Sequence, residues 1–200
     1  MSDIRGFKNM LMVGLIVFAL AACSVFGGVN VDIAPYKVLQ KDGRFEIRHY
    51  DQLVLAQTNG PKRDGGLSYT FRRLFSYISG NNNHSKEIAM TAPVLMDTEG
   101  KIIKSMAFVL PTSISFDTAP LPKDPSVKII EVRDYTVISI KFSGFLNENN
   151  IAERKKELRV WATQRALKIN GPARIAGYNP PFTLPFMRRN EVLIPIIEPE

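Results

Sequence analysis

Only one cysteine and two histidines occur in the 200 residues. A structural zinc site typically takes four Cys or His ligands, so that class is nearly excluded. A disulfide framework within one chain needs a second cysteine and is excluded outright. Catalytic signatures are equally scarce. There is no Gly-x-Ser-x-Gly elbow, no phosphate loop and no Cys-x-x-Cys-His for covalent haem. The acidic residues are scattered without an evident pair, and so few histidines and cysteines leave no nucleophile–base couple. Enzymatic activity is therefore not supported. Long apolar runs are also missing, apart from one near the N-terminus, which excludes a polytopic membrane protein. What remains, 45% hydrophobic and 22% charged residues, is the composition of an ordinary globular chain with one domain or at most two small ones.

The one apolar run is an address. Arg5 and Lys8 precede an uncharged stretch, Leu11 to Ala22, of 12 residues. That is short of the roughly 20 needed to span a bilayer and has the form of a secretory signal peptide. It ends in Leu20-Ala21-Ala22-Cys23, which resembles the bacterial lipobox. The resemblance implies cleavage after residue 22, acylation of Cys23 and, because Ser24 rather than Asp follows, an outer-membrane lipoprotein facing the periplasm. Several acyl chains on one residue give stable anchoring. The alternatives are an uncleaved anchor or a free buried cysteine. Processing lowers the net charge from +7 to +6 over the 178 remaining residues. A basic surface points to anionic partners, here lipid headgroups or a carboxylate-bearing ligand, or is merely solubilising; export removes nucleic acid from the expected partners.

Residues 23–35 read as a lipidated tether and 36–200 as the folded domain. Strands are expected at 36–39, 44–50 and 53–58, with a turn at Asp42-Gly43. Phe45, Ile47 and His49 share one strand face and Glu46, Arg48 and Tyr50 the other. A helix follows with Leu67, Phe71, Leu74, Phe75 and Ile78 at helical spacing, then strands at 94–96 and 102–110. After a proline-rich loop at 111–125 the order repeats. Strands at 127–132 and 136–142 lead to a helix capped by Asn147 or Asn149. Its apolar stripe is Leu158, Trp161, Ala162, Ala166 and Ile169, and strands at 173–178 and 192–196 follow it. Glu46, Arg48 and Tyr50 fall opposite Glu131, Arg133 and Tyr135 at an offset of 85, and residues 108–111 opposite 192–195 at an offset of 84. The spacing reads as duplication of a strand–strand–helix–strand–strand unit, whose two copies close into one α+β, barrel-like sheet with two helices outside.

Three strings carry a family resemblance: Phe45-Glu46-Ile47-Arg48-His49-Tyr50, Met90-Thr91-Ala92-Pro93-Val94, and Asn179-Pro180-Pro181-Phe182-Thr183-Leu184-Pro185-Phe186-Met187-Arg188-Arg189-Asn190-Glu191-Val192. Together they resemble the SOUL haem-binding family from about residue 36 to 197. The resemblance implies a distorted antiparallel β-barrel built from a duplicated unit and flanked by two helices, a fold also similar to ligand-binding domains of bacterial regulators. It further implies non-covalent binding of haem or a related tetrapyrrole.

Such a ligand asks for an apolar slot, often an axial ligand to iron, and cations for its carboxylates. By its motif position, His49 is the candidate iron ligand, with Phe45 and Ile47 as pocket wall. Met90 is a further lining residue and possible thioether ligand. Arg72, Arg188 and Arg189 are the candidates for the carboxylates. The proline-rich loop with Phe182 and Phe186 is a candidate lid. Each has a plainer structural reading: a satisfied histidine, core side chains, a solvated arginine or a shaped connection. The expected activity is reversible tetrapyrrole binding, for trafficking or buffering, by a periplasm-facing lipoprotein whose protein partners are unknown. The alternatives are an envelope interaction module with no tetrapyrrole, or a tetrapyrrole-modifying enzyme using Glu46 or Glu191 as general acid.

Overall fold

A computed structural model of the chain describes residues 31–61 and 66–198. The expected signal segment, Cys23 and most of the tether lie outside the described residues.

Two strands dominate, β3 (Phe45–Asn59) and β7 (Val127–Phe142). They pair antiparallel along almost their whole lengths, from Phe45 opposite Ile140 to Thr58 opposite Val127. The sequence reading divides each into two strands, with breaks at 51–52 and 133–135. Asp51-Gln52 and Arg133-Asp134 are instead mid-strand bends that face each other, all four residues exposed. Asp134 takes a positive φ of 48°, which Asp tolerates better than most residues. Two consecutive outward residues also shift the inward alternation by one, so that Tyr50 and Leu53 both face the interior.

The remaining strands are β1 (Asp32–Ile33), β2 (Lys37–Asp42), β4 (Thr91–Ala92), β5 (Val94–Glu99), β6 (Ile102–Val109), β8 (Arg174–Gly177) and β9 (Asn190–Pro195). The ring β3-β6-β5-β8-β9-β7 is closed by the β3–β7 pairing. The result is a six-stranded antiparallel barrel, with β2 attached to β3 outside it and β1 paired to β4. Each half of the barrel is a long bent strand, a helix and two strands. Tyr50 and Tyr135, equivalent across the duplication, sit directly opposite each other with ring centroids 6.2 Å apart. They mark the pseudo-twofold axis. On the far side of the ring that axis passes by the β5–β8 seam.

Helix α1 (Gly66–Ile78) covers the outside of β6 and β3, burying Thr70, Leu74, Tyr77 and Ile78. Helix α2 (Glu148–Gln164) covers β7 and β9 and buries Ile151, Leu158, Trp161 and Ala162. Of the two asparagines expected to cap α2, Asn147 does so, accepting from the Asn150 amide at 2.9 Å. The helix ends earlier than its apolar spacing suggests: Arg165 caps it and Ala166 has φ of 52°. Ala166 and Ile169 therefore lie outside the helix, and Ile169 bridges to Ile196 instead. With helices outside and side chains inside, both faces of most strands are buried. One apolar cluster lies in the barrel and two lie between barrel and helices.

Leu158 is wholly buried among Ile47, Ile138, Ile140 and Ile194 beneath α2. Leu158→Ala is expected to destabilise the fold by about 2–5 kcal/mol through lost transfer energy and a residual cavity. A lowered urea midpoint with an unchanged denaturant slope checks this.

Candidate functional site

The barrel interior is not apolar throughout. Arg48, on the inward face of β3, is 2% exposed, and Glu191, on the inward face of β9, is 0% exposed. Arg48 Nη1 and Nη2 donate to the two Glu191 carboxylate oxygens at 2.5 and 3.0 Å, and Arg48 Nε donates to Glu46 at 2.7 Å. Tyr178 donates its hydroxyl to Glu191 at 2.9 Å, and Arg189 Nε donates to Glu191 at 2.9 Å. Two rings complete the cage: the Arg48 guanidinium lies 4.4 Å from the Tyr36 centroid and that of Arg189 3.8 Å from Tyr178. The charge-assisted, bidentate geometry is what a buried guanidinium needs to offset its loss of water.

The electrostatics follow. Burial opposes ionisation of Glu191, but the hydrogen bonds and charge of Arg48, with those of Arg189, hold its carboxyl below the usual range. Burial likewise opposes the charge on Arg48, and Glu191 more than reverses that. The phenol of Tyr178 is pushed up, by burial first and then by Glu191. Burial pushes Tyr50 up to about 12, partly offset by Arg48. Glu46 and Glu191, the expected general acids of an enzyme, are both tied to Arg48. Glu191 is buried and held toward its carboxylate form.

The duplicated motif is used asymmetrically. Arg133, the counterpart of Arg48, is 66% exposed and bonds Glu131 at 2.8 Å on the surface. At the 84-residue offset of the last strands, the counterpart of Glu191 is Ala107, so the first half offers no inward carboxylate.

A tetrapyrrole does not fit the barrel. Its interior is packed with Leu53, Leu55, Leu95, Val109, Leu193 and their neighbours. The gap beside Tyr50, Tyr135 and Arg174 measures about 10 Å³, room for a single water at most.

The outer face between the helices is different. Phe108, Val94 and Gly177 are successive cross-strand partners on β6, β5 and β8 and form one row there. At one end Phe71 of α1 packs on Phe108, ring centroids 5.2 Å apart. At the other, Leu146, just before α2, passes over Gly177, where a Cβ would meet its Cδ1 at 3.9 Å. Phe71, Val94, Gly177, Leu146 and nearby Met90 all remain partly exposed. Arg73 leans from α1 to Thr58 of β3, while Phe75 and Arg72 are exposed on the helix and Arg72 Nε donates to the Ser68 carbonyl at 3.3 Å. The loop from Gly177 to Asn190 leaves the sheet at this place. It presents Phe182 and Phe186, 81% and 73% exposed, and its Pro185 carbonyl accepts from the Gly144 amide at 2.8 Å. Arg188 holds the loop through the carbonyls of Thr183 and Pro181 and lies 5.4 Å from the Phe145 centroid. The row is apolar and has no side chain at Gly177, where Met96 Cε and Leu146 Cδ1 stand 3.7 and 3.9 Å from the position a Cβ would take, and Phe108 at its other end is buried.

The structure thus separates the residues singled out in the sequence. Met90 packs at the cluster that includes Val94, Phe182, Phe186 and Arg188 lie on the loop between β8 and β9, and Arg72 is exposed on α1, where its Nε donates to the Ser68 carbonyl. Arg189 belongs to the interior cage. Phe45 stacks on Trp161 at 5.2 Å, and Ile47 is buried under α2. His49 lies at the β3–β7 seam, across the barrel from β5 and β8. Thr136 directs its hydroxyl to Glu198 at 3.0 Å, so His49 Nδ1 is the donor to Thr136 at 2.9 Å, and Nε2 stands 3.4 Å from Asp51. Sequence reasoning missed Val94, Leu146 and Gly177 as floor and wall. The glycine inside a strand was the available signal.

Because Glu191 ionises below its ordinary value of 4.5 in the fold, its stabilisation is present above that pH and lost as pH falls through the folded value. Glu191→Gln leaves Arg48 buried against a neutral amide, at a cost of about 3–5 kcal/mol. Thermal melts at pH 7 are expected to show the variant clearly less stable. The gap to wild type should narrow in melts taken progressively below pH 4.5.

A family model described as SOUL heme-binding protein matches residues 31–195. Heme-binding protein 1 of Sus scrofa is 28% identical over 182 residues, covering 84% of this chain and 94% of its own. Heme-binding protein 2 of Homo sapiens is 30% identical over 173 residues, covering 80% and 81%. Among solved structures, the EcmrR C-terminal domain superposes with a TM-score of 0.59 at 8% identity over 82% of this chain and 99% of that one. A hydrolase from Listeria innocua does so with 0.54 at 8% identity over 80% and 94%. At such identities these two share the fold alone. The family match spans the barrel and both helices, and with it the interior cage and the outer face: the chain belongs to the SOUL heme-binding protein family.

Proposed function

We propose that this protein binds haem or a related tetrapyrrole reversibly on the open outer face between α1 and α2, and that it does so as a lipid-anchored envelope protein that buffers or carries the ligand. The observation that supports this location is the row Phe108, Val94 and Gly177, flanked by Phe71 and Leu146. It is flat and apolar while the barrel lumen is filled. Haem supplies an apolar disc with two carboxylates. Val94, Phe71 and Leu146 would meet the disc, Arg72 and Arg188 the carboxylates, and Phe182 and Phe186 would shield its upper side from water. His49, across the barrel, would not reach a ligand seated here. The heme-binding protein names of the relatives, and the engagement of both candidate acids by Arg48, favour binding over catalysis.

One observation favours a second reading. Phe182 and Phe186 are more exposed than a ligand lid requires, which suits an interaction module that captures a protein or lipid and no tetrapyrrole.

Haemin titration of the full chain separates the readings. A saturable Soret shift at about one haemin per chain is expected. Val94→Lys and Gly177→Phe should each weaken it by about tenfold or more, and His49→Ala should leave it intact. Loss only in His49→Ala would overturn the location. Absence of any saturable shift would overturn tetrapyrrole binding and favour the interaction module.

Anchoring through Cys23 rests on the lipobox and has its own test. Cys23→Ala is expected to move the chain from the membrane fraction to the soluble one and to abolish incorporation of labelled fatty acid. Continued membrane retention without label would overturn it.

A further inference from the structure

We propose that the barrel interior is a binding site for a planar organic cation of the guanidinium class, and that the chain's own Arg48 is its occupant. The cage has the features such a ligand needs. Two carboxylates converge on it, Glu191 with both oxygens and Glu46 with one, at 2.5–3.0 Å from three different nitrogens of Arg48. The Tyr36 ring covers the guanidinium face at 4.4 Å, the arrangement in which an aromatic quadrupole attracts a cation. Glu191, Tyr50 and Tyr178 are buried, and Tyr36 and Glu46 are partly so.

A second observation is independent of those bonds. The Tyr50 hydroxyl is buried in the same cluster and makes no hydrogen bond of ordinary geometry, and Arg48 acts on it both through its charge and as a hydrogen-bond donor. Arg48 uses three N–H groups on the carboxylates, and a guanidinium side chain has about five. A buried phenol without a well-formed partner is uncommon. A free guanidinium carries no stem and has one further N–H in place of the Cδ bond, so it can occupy the fork without the constraint of β3.

Arg189 does not substitute for Arg48. It approaches Glu191 from the opposite side, beside Tyr178, and also donates to Tyr36 at 3.1 Å. With Arg48 removed, the cage keeps two carboxylates, with Arg189 on Glu191 and Lys41 3.4 Å from Glu46, and has a void of the shape of the missing group.

Arg48→Gly in the full chain opens the cage, and methylguanidinium chloride is the probe. The variant should melt below wild type. Methylguanidinium at about ten times its dissociation constant should raise the variant's melting temperature by about 3–5 °C in a saturable manner. Sodium chloride at equal ionic strength should not, and wild type should show no such rise. Arg48→Met, which fills the void without charge, should not respond either. Should Arg48→Gly fail to fold alone, refolding it with the probe present should restore the wild-type circular dichroism spectrum. An unresponsive variant, an equal response in wild type or in Arg48→Met, or refolding no better with methylguanidinium than with sodium chloride would overturn the proposal.

Discussion

The ion pair between Arg48 and Glu191 is the constraint around which this fold is arranged. It joins residues 143 positions apart, one on the first long strand and one on the last strand, and so ties the two halves through the barrel's interior. Neither charge can be left alone there, because an unpaired buried ion is far more costly than the pair. The surrounding residues answer that demand. Glu46 takes the third guanidinium bond, Tyr178 and Arg189 complete the carboxylate's partners, and Tyr36 covers the cation. A lumen occupied in this way has no space for a large guest, so any large ligand is left to the outside.

That division of labour explains how much could be read from the residues alone. The duplication was legible because the two helices and the strings around Tyr50 and Tyr135 repeat at nearly one offset. The bent strands were not, since breaks at 51–52 and 133–135 divide them until a partner strand runs past both. The strand face was harder still. Alternation of Phe45, Ile47 and His49 against Glu46, Arg48 and Tyr50 suggests that the apolar side lines a pocket. In a barrel with helices outside, the apolar side packs under α2 and the polar side points into the lumen. No local pattern reports which of two buried faces is the inner one. Arg189 and Glu191 lie two residues apart, and only the partner from β3 reveals why both are inside.

The open face was legible in pieces. Met90, Phe182, Phe186 and Arg188 come from the entry to β4 and the loop before β9, segments that lead into or out of neighbouring parts of the ring, whereas Arg72 is exposed on α1. The floor itself, Val94 and Gly177, carries almost no signature. Its value is what it lacks, a side chain at Gly177. A ligand bound there, as proposed, would lie apart from the interior charge pair, so affinity at the face and stability of the barrel could vary separately.

The tyrosine pair on the pseudo-twofold axis has a consequence for ancestry. A half-length chain that assembled as a symmetric homodimer would place one and the same residue at the positions now held by Ala107 and Glu191. Its lumen would then hold two inward acids or none. With two, a pair of arginines would crowd about the axis; with none, neither could enter. Fusing the halves into one polypeptide lets the two positions diverge, so a single arginine can turn inward while its twin, Arg133, faces water. A lumen with one charge pair is available to the fused chain and is forbidden to the symmetric dimer.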